Sequence, residues 1–267
     1  MVALHGEAWQ ATGGHVVMIA CTIATPNYSD LANREAEWFR KNSGLDTIVI
    51  HINREEDGYA KKLELPSLFP GQRVVFFDAD YRLCRPTDFR EFVGREEFFG
   101  VFDGGVHCHE VFLSKDATAL AMNGDLYINT GFWIANFARQ DHINAFAIAR
   151  QLMAEKSNGL HQGVCDRTEQ SMLNAGLQRA GVEIQHLHPR YNFYLYGFDR
   201  GFTPSIPSRI IGLHAAGVVG AERKMAALDA QYTCLCDAEG SHYNREPIEH
   251  AATAFNAWSK REPDAKL

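Results

Sequence analysis

Val74-Val75-Phe76-Phe77-Asp78-Ala79-Asp80 is the stretch of this chain that says most about its fold. Four consecutive apolar residues read as a strand buried on both faces, and two carboxylates follow at its carboxyl end. Placed at i and i+2, their side chains would leave a strand on the same side and could share one cation. In open parallel sheets ligands bind beyond the carboxyl ends of the strands. Hard oxygen donors in that position suit Mg²⁺ or Mn²⁺ bridging a diphosphate. The triplet alone is unspecific, since a solvated turn after a strand has the same composition; the apolar residues in front of it give it meaning.

Upstream, Val16 to Ala24 (VVMIACTIA) is another continuous apolar run and reads as the first central strand. Ser29 is the expected N-cap of a helix carrying Leu31, Ala32, Ala36 and Phe39 at helical spacing, with Gly44 as its stop. Thr47 to Ile52 is strand-like, Gly58 to Leu65 short and amphipathic, and the Pro70-Gly71 turn leads into the strand that ends at Phe77. Strand, helix, strand, helix, strand within eighty residues is a βαβαβ pattern, which implies parallel pairing with right-handed crossovers.

Beyond Pro86 the pattern loosens into a short helix from Thr87 to Val93, a strand from Glu97 to Phe102 and a Gly/His-rich loop from Asp103 to Glu110. A strand over Leu126 to Ala135, helices over Arg139 to Lys156 and Thr168 to Arg179, and strands over Val182 to Leu187 and Arg209 to Leu213 follow. One more helix is expected beyond Pro247. Without repeats or linkers, the chain reads as one α/β domain over 1–267, with a nucleotide-binding half over 16–103, an elaborated half over 104–230 and an extension over 231–267.

Composition narrows the function. The 267 residues are 46% hydrophobic and 22% charged, with 26 Lys+Arg against 33 Asp+Glu and a formal charge of -7. A general affinity for nucleic acid is not expected from such a balance. No apolar run approaches the roughly 20 residues of a membrane span, and Met1 to Gly14 lacks the basic n-region of a secretory signal. Six scattered cysteines do not make a disulfide scaffold, so a cytoplasmic protein with reduced thiols is expected.

The segment from Lys62 to Asp80 resembles the donor-site segment of GT-A glycosyltransferases of family 8, the glycogenin and bacterial galactosyltransferase type. Four further landmarks recur in order. They are Tyr127-Ile128-Asn129-Thr130-Gly131, then Glu169-Gln170 with Asn174, then Pro189 with Tyr191-Asn192, and finally Ile211-Gly212-Leu213-His214 with Gly217. The resemblance covers roughly residues 16 to 224. It implies a GT-A fold, in which a Rossmann-like half and a mixed central sheet are flanked by helices.

It also implies a reaction: transfer of a hexose, with retention, from a nucleoside diphosphate sugar, UDP-glucose or UDP-galactose, to a hydroxyl acceptor. On this resemblance Asp78 contacts the ribose and the metal, Asp80 ligates the metal directly, and His214 completes the set on Mn²⁺ (or Mg²⁺). Lys62 stands beside the donor sugar. Lys224 is the candidate diphosphate lysine, although the family places its lysine about six positions after the histidine, where this chain has Gly220. Asn129, Glu169 and Gln170 face the transferring sugar, with Glu169 in place of the usual Asp. Ala20, Thr22 and Tyr28 fall where a nucleobase lies, Ala79 and Gly217 belong to the donor cradle, and Asp103 ends a strand on the acceptor side.

Plainer roles stand beside these. Thr168-Glu169-Gln170 is also a helix start with an acidic first turn, and Lys62 is also a solvated helix lysine. His107-Cys108-His109-Glu110 and Cys234-x-Cys236 contain ligand types but lack paired zinc spacing. A haloacid-dehalogenase-type phosphatase also follows an apolar strand with Asp-x-Asp, but its motif usually opens the chain. A non-catalytic nucleotide-sugar binder is the other alternative. The acceptor, whether glycan, protein, lipid-linked sugar or modified nucleobase, is not legible.

Overall fold

The computed structural model describes residues 18–103, 115–164, 168–193, 210–216 and 219–235. Its frame is a six-stranded sheet. In chain order the strands are β1 (Met18–Ala24), β2 (Thr47–His51), β3 (Arg73–Phe77), β5 (Phe98–Phe102), β6 (Ile128–Asn136) and β7 (Ile184–Leu187), laid out as β2-β1-β3-β6-β5-β7. A separate two-stranded sheet pairs β4 (Tyr81–Leu83) antiparallel with β8 (Gly212–His214). The helices are α1 (Ser29–Ser43), α2 (Gly58–Lys62), α3 (Leu65–Leu68), α4 (Gln140–Ser157), α5 (Gln170–Arg179) and α6 (Ala221–Leu235), with a short helical segment at 115–120.

The expected βαβαβ unit is present. β1 runs parallel to both β2 and β3, and Ala20 pairs with Thr47 on one side and Val75 on the other. β6 then enters antiparallel to β3 and to β5, and this makes the sheet mixed. Every residue of β3 is buried, because its alternating side chains enter two different cores. Val74 and Phe76 join Trp133, Phe146 and Leu173 under α4 and α5, while Val75 and Phe77 join Phe39, Phe89 and Phe132 under α1. A third cluster, with Leu31, Leu213 and Leu228, holds α6 against β8.

Several boundaries differ from the expectations. Ser29 is the first helical residue, not a side-chain cap, because the 3₁₀ turn Pro26–Tyr28 runs straight into α1; its hydroxyl instead faces His51 Nδ1 at 3.3 Å. Gly44 closes the helix in the left-handed conformation, as expected (φ 68°). The Thr87 to Val93 segment is a 3₁₀ turn over Phe89–Phe92. The last strand begins at Gly212 and ends at His214. β4 and α6 were not expected, and α6 runs through the point where an extension was drawn at 231. The helix beyond Pro247 lies outside the described residues. Among the described residues no helix is long and apolar enough to cross a membrane, and Cys21 and Cys84 are buried.

Helix α5 lies unusually close to α4. A Cβ added at Gly176 would overlap the carbonyl oxygen of Ala145 and stand 3.2 Å from Ala149 N, both rigid helical backbone. Gly176→Ala is therefore expected to cost about 1–3 kcal/mol, read as a lower denaturant midpoint at unchanged m-value. Because α5 begins at Gln170, the same change is expected to shift the groups at its N-terminus.

Candidate functional site

At the carboxyl end of β3 the chain turns sharply: the carbonyl of Asp78 accepts from the amide of Tyr81 at 3.0 Å. The two aspartates therefore lie in a turn and not in a strand. They converge because the turn folds Asp80 back toward β8, not through strand alternation. Asp80 is itself anchored by that pairing, since its carbonyl accepts from Ala215 N at 3.0 Å. Across the two-stranded sheet His214 stands opposite Tyr81. Its Nε2 is 3.4 Å from Asp80 Oδ1 and 3.7 Å from Asp78 Oδ2. One ligand atom from each of Asp78, Asp80 and His214 lies within 4.8 Å of the others, a group that could hold a metal ion.

The donor set fits a divalent cation on a second count. Gly131, the close of the Asn129-Thr130-Gly131 triplet, has no side chain because His214 fills that space; an added Cβ would strike its ring. The imidazole is thus pressed against the β6 backbone with Nε2 toward two acceptor carboxylates. An imidazole nitrogen facing two carboxylate oxygens needs a cation between them, either a proton on the ring or a metal ion.

Two lysines balance the carboxylates. Lys62, at the end of α2 and only 5% exposed, donates to Asp78 Oδ1 at 2.9 Å, pairs with Glu169 Oε1 at 2.5 Å and reaches the carbonyl of Thr130 at 3.3 Å. Burial disfavours its ammonium, but Asp78 and Glu169 outweigh that and hold its pKa above the ordinary lysine value. Lys224, on α6, bonds Asp80 and the carbonyl of Ala215 (3.2 Å). Burial opposes the charge of Asp80, yet Lys224 and His214 keep its carboxyl far below the usual range, and Asp80 in turn raises Lys224. Sequence spacing left Lys224 in doubt; the helix rise of α6 brings it to the aspartate.

Glu169 is the surprise of the site. Expected to face the transferring sugar, or more plainly to serve as an acidic residue of a helix start, it is 1% exposed and accepts from Thr130 Oγ1 at 2.9 Å, while Thr168 Oγ1 caps Gln170 N at 3.2 Å. Glu169 Oε2 has no hydrogen-bond partner among the described residues. Burial pushes its carboxyl above the ordinary glutamate range; Lys62, shared with Asp78, returns part of the cost, and the charge of Asp78 adds to it. Beside it, Gln170 accepts from Thr130 N at 3.0 Å and donates to Asp103 Oδ2 at 2.8 Å, and Asn129 Nδ2 points to the same oxygen at 3.4 Å.

The remaining expected residues fall unequally. Tyr28 lies near the site, with Lys224 Nζ 5.9 Å from its ring centre, and Ala79 sits between the aspartates. Thr22 is level with Phe77 and fully buried, its hydroxyl without a partner among the described residues. Ala20 is in mid-strand, inside the core with Phe39 and Val75, and is not brought to the site. Gly217, His107 to Glu110, Cys236 and the side chain of Cys234 lie outside the described residues. Asn192, which carries a landmark but was given no role, touches His214; the signal was its place next to Tyr191 in the motif.

No protein-family model matches this chain, and no curated protein matches it. Among solved structures, the apo structure of the WbbM bifunctional glycosyltransferase is similar over 79% of this chain and 47% of its own, with a TM-score of 0.55 at 13% identity. The chain thus spans about half the length of that protein. Mouse xyloside xylosyltransferase 1, apo form, is similar over 74% of this chain and 97% of its own, with a TM-score of 0.47 at 11% identity. The mixed α/β fold described above is the one shared with WbbM.

Because glutamine mimics a protonated glutamate, Glu169→Gln tests the electrostatics of the site. A carboxyl whose pKa is raised on folding binds its proton more tightly in the native state, so its ionised form costs stability above the folded pKa. That cost vanishes below the unfolded value of about 4.3. Relative to wild type, Glu169→Gln is expected to gain thermal stability as the pH rises from 4 to 8. A midpoint difference that stays flat or falls over that range would contradict the assignment.

Proposed function

We propose that the chain is a metal-dependent, retaining glycosyltransferase that moves a hexose from a UDP-sugar, UDP-glucose or UDP-galactose, to a hydroxyl acceptor. The observation that carries this is the Asp78, Asp80 and His214 cluster at the carboxyl end of β3. It lies where an α/β sheet binds its ligands, on a fold shared with a glycosyltransferase. The resemblance to family 8 supports the finer reading.

In this reading Asp78, Asp80 and His214 hold Mn²⁺ or Mg²⁺, which supplies positive charge to the departing nucleoside diphosphate. Lys224 turns from Asp80 to a diphosphate oxygen, and Gly217, outside the described residues, keeps the donor-cradle role that the resemblance implies. Tyr28 offers a face to the base and Ala79 lines the nucleoside side, while Thr22 and Ala20, both buried in β1, support them from within the strand. Asp78 also accepts from a ribose hydroxyl. Lys62, Asn129, Glu169 and Gln170 orient the sugar, and Asp103 faces the acceptor. The anomeric carbon–oxygen bond to the β-phosphate breaks as the acceptor oxygen bonds to the same face of that carbon. The acceptor proton passes to the phosphate oxygen released.

Glu169 being longer by one methylene than the usual Asp is accommodated by its pairing with Lys62 and Thr130, which draws the carboxylate back toward β6. Purified protein with Mn²⁺ and a panel of UDP-sugars is expected to release UDP slowly even without acceptor. Chelation should abolish release, and Asp80→Asn should lower it on the order of 100-fold with the fold retained. A folded protein that releases no UDP from any donor with either metal would sink the transferase reading. Release of inorganic phosphate from phosphomonoesters would favour the phosphatase instead.

A further inference from the structure

Pro189-Arg190-Tyr191-Asn192 has no task in the proposed reaction, yet its last residue is 2% exposed between the two halves of the site. The orientation of each amide there follows from one fixed donor. The backbone N–H of Gly131 bonds Asn129 Oδ1 at 2.8 Å, so Asn129 turns its oxygen to Gly131 and its nitrogen to Asp103. The same oxygen is 2.8 Å from Asn192, which must present its Nδ2–H to it. Asn192 Oδ1 then faces His214 Nδ1 at 3.0 Å, and as a pure acceptor it requires the proton on Nδ1. In a neutral ring this leaves the Nε2 lone pair directed at Asp78 and Asp80.

Asn192 has little freedom to do anything else. The 3₁₀ turn Pro189–Tyr191 sets it up, with Asn192 N bonded to Pro189 O at 3.1 Å. Tyr81 donates its hydroxyl to the carbonyl of Tyr191 at 2.6 Å, and Phe193 exchanges backbone bonds with Gly212 and His214 at 2.9 Å each. The segment is stitched to β8 on both sides of the asparagine.

We infer that Asn192 is a positioning residue: it holds His214 as the Nδ1–H tautomer with Nε2 available to a divalent cation. Through Asn129 it also ties that ligand to the Asp103–Gln170 pair on the sugar side. The inference rests on the metal-dependent reading above. Without the acceptor at Nδ1, the ring proton moves to Nε2, where it is welcomed by Asp80, and the nitrogen is then occupied by a hydrogen bond and not by a metal. Outer partners of this kind typically change metal affinity by about 10–100-fold.

The test uses Mn²⁺ alone, titrated into the full chain and followed by the electron paramagnetic resonance of the unbound ion, with thermal unfolding as a check on folding. Asn192→Leu is expected to lower Mn²⁺ affinity about 10–100-fold, toward the level of His214→Ala. Where the leucine variant fails to fold, Asn192→Ser replaces it. Wild-type affinity in a folded leucine or serine variant overturns the inference while leaving the metal reading intact. If wild type itself binds no Mn²⁺, the metal reading fails. The ¹⁵N spectrum of histidine-labelled, metal-free protein then still decides the positioning role. A proton on His214 Nδ1 in wild type that is lost in Asn192→Leu supports it, and the same Nδ1 protonation in both overturns it.

Discussion

Strand β6 loses register with β5 at one place, and the site is built from what that break releases. Gly100 pairs with Trp133, but the next residue, Val101, pairs with Asn129, so residues 130 to 132 have no partner on β5. Backbone groups inside a protein must be satisfied somewhere. Here the carbonyl of Thr130 takes Lys62, its amide takes Gln170, the amide of Gly131 takes Asn129 Oδ1, and the carbonyl of Gly131 accepts from Asp78 N at 2.8 Å. Irregularities of this kind concentrate beside active sites because they re-aim side chains. In this chain the break does more: it leaves Thr130 as a fixed anchor for a lysine and a glutamine, while Gly131 anchors an asparagine and, in continuation of the β3 pairing, the first aspartate.

Those anchors matter because the site gathers like charges. Among the described residues Asp78, Asp80 and Glu169 pair with two ammonium groups, Lys62 and Lys224, and of these five side chains Asp78 is the most exposed. Each lysine approaches from a different element, α2 and α6, so the balance depends on the whole fold and not on one loop. The raised carboxyl of Glu169 and the depressed one of Asp80 show how unevenly the compensation is divided. Lys224 forms its ion pair with Asp80, while Lys62 is shared between Asp78 and Glu169. A chain of formal charge -7 attracts anions poorly as a whole, so any affinity for a diphosphate has to be created locally.

How much of this was legible in the sequence depended on whether the cause was local. The strand before Asp78, the βαβαβ order and the stop at Gly44 follow from apolar runs and turn residues, which act over a few positions. The pairing of Tyr81 with His214 joins three-residue strands about 130 positions apart, too short to carry a period. Ala20 was misplaced because a buried strand offers no mark of where along its length the ligand end begins. Helix α6 was readable in principle, since Ala221-Glu-Arg-Lys-Met-Ala-Ala-Leu is rich in strong helix formers. Its apolar face is narrow, however, with Ala227 and Leu228 as its buried apolar residues among those described, and periodicity alone passes over it.

The attachment of α6 explains why Lys224 reaches the site from its place well beyond His214 in the sequence. Arg82, on β4, grips Glu35 of α1 through two bonds of 2.8 and 2.7 Å and reaches Asp229 of α6 at 2.9 Å. Its guanidinium also lies 5.2 Å from the ring of Trp38 and 5.8 Å from that of Tyr232. One buried side chain thereby fixes α1, β4 and α6 to each other, two residues after Asp80. A planar, multiply bonded guanidinium suits this task where a lysine would not, because its three nitrogens serve two carboxylates while the same group lies over aromatic rings. Lys224 lies more than one helical turn before Asp229, so the same clamp that orients α6 also sets the distance of its ammonium from the aspartate. The position of that lysine is thus determined by the docking of the helix, and counting residues from His214 could not reveal it.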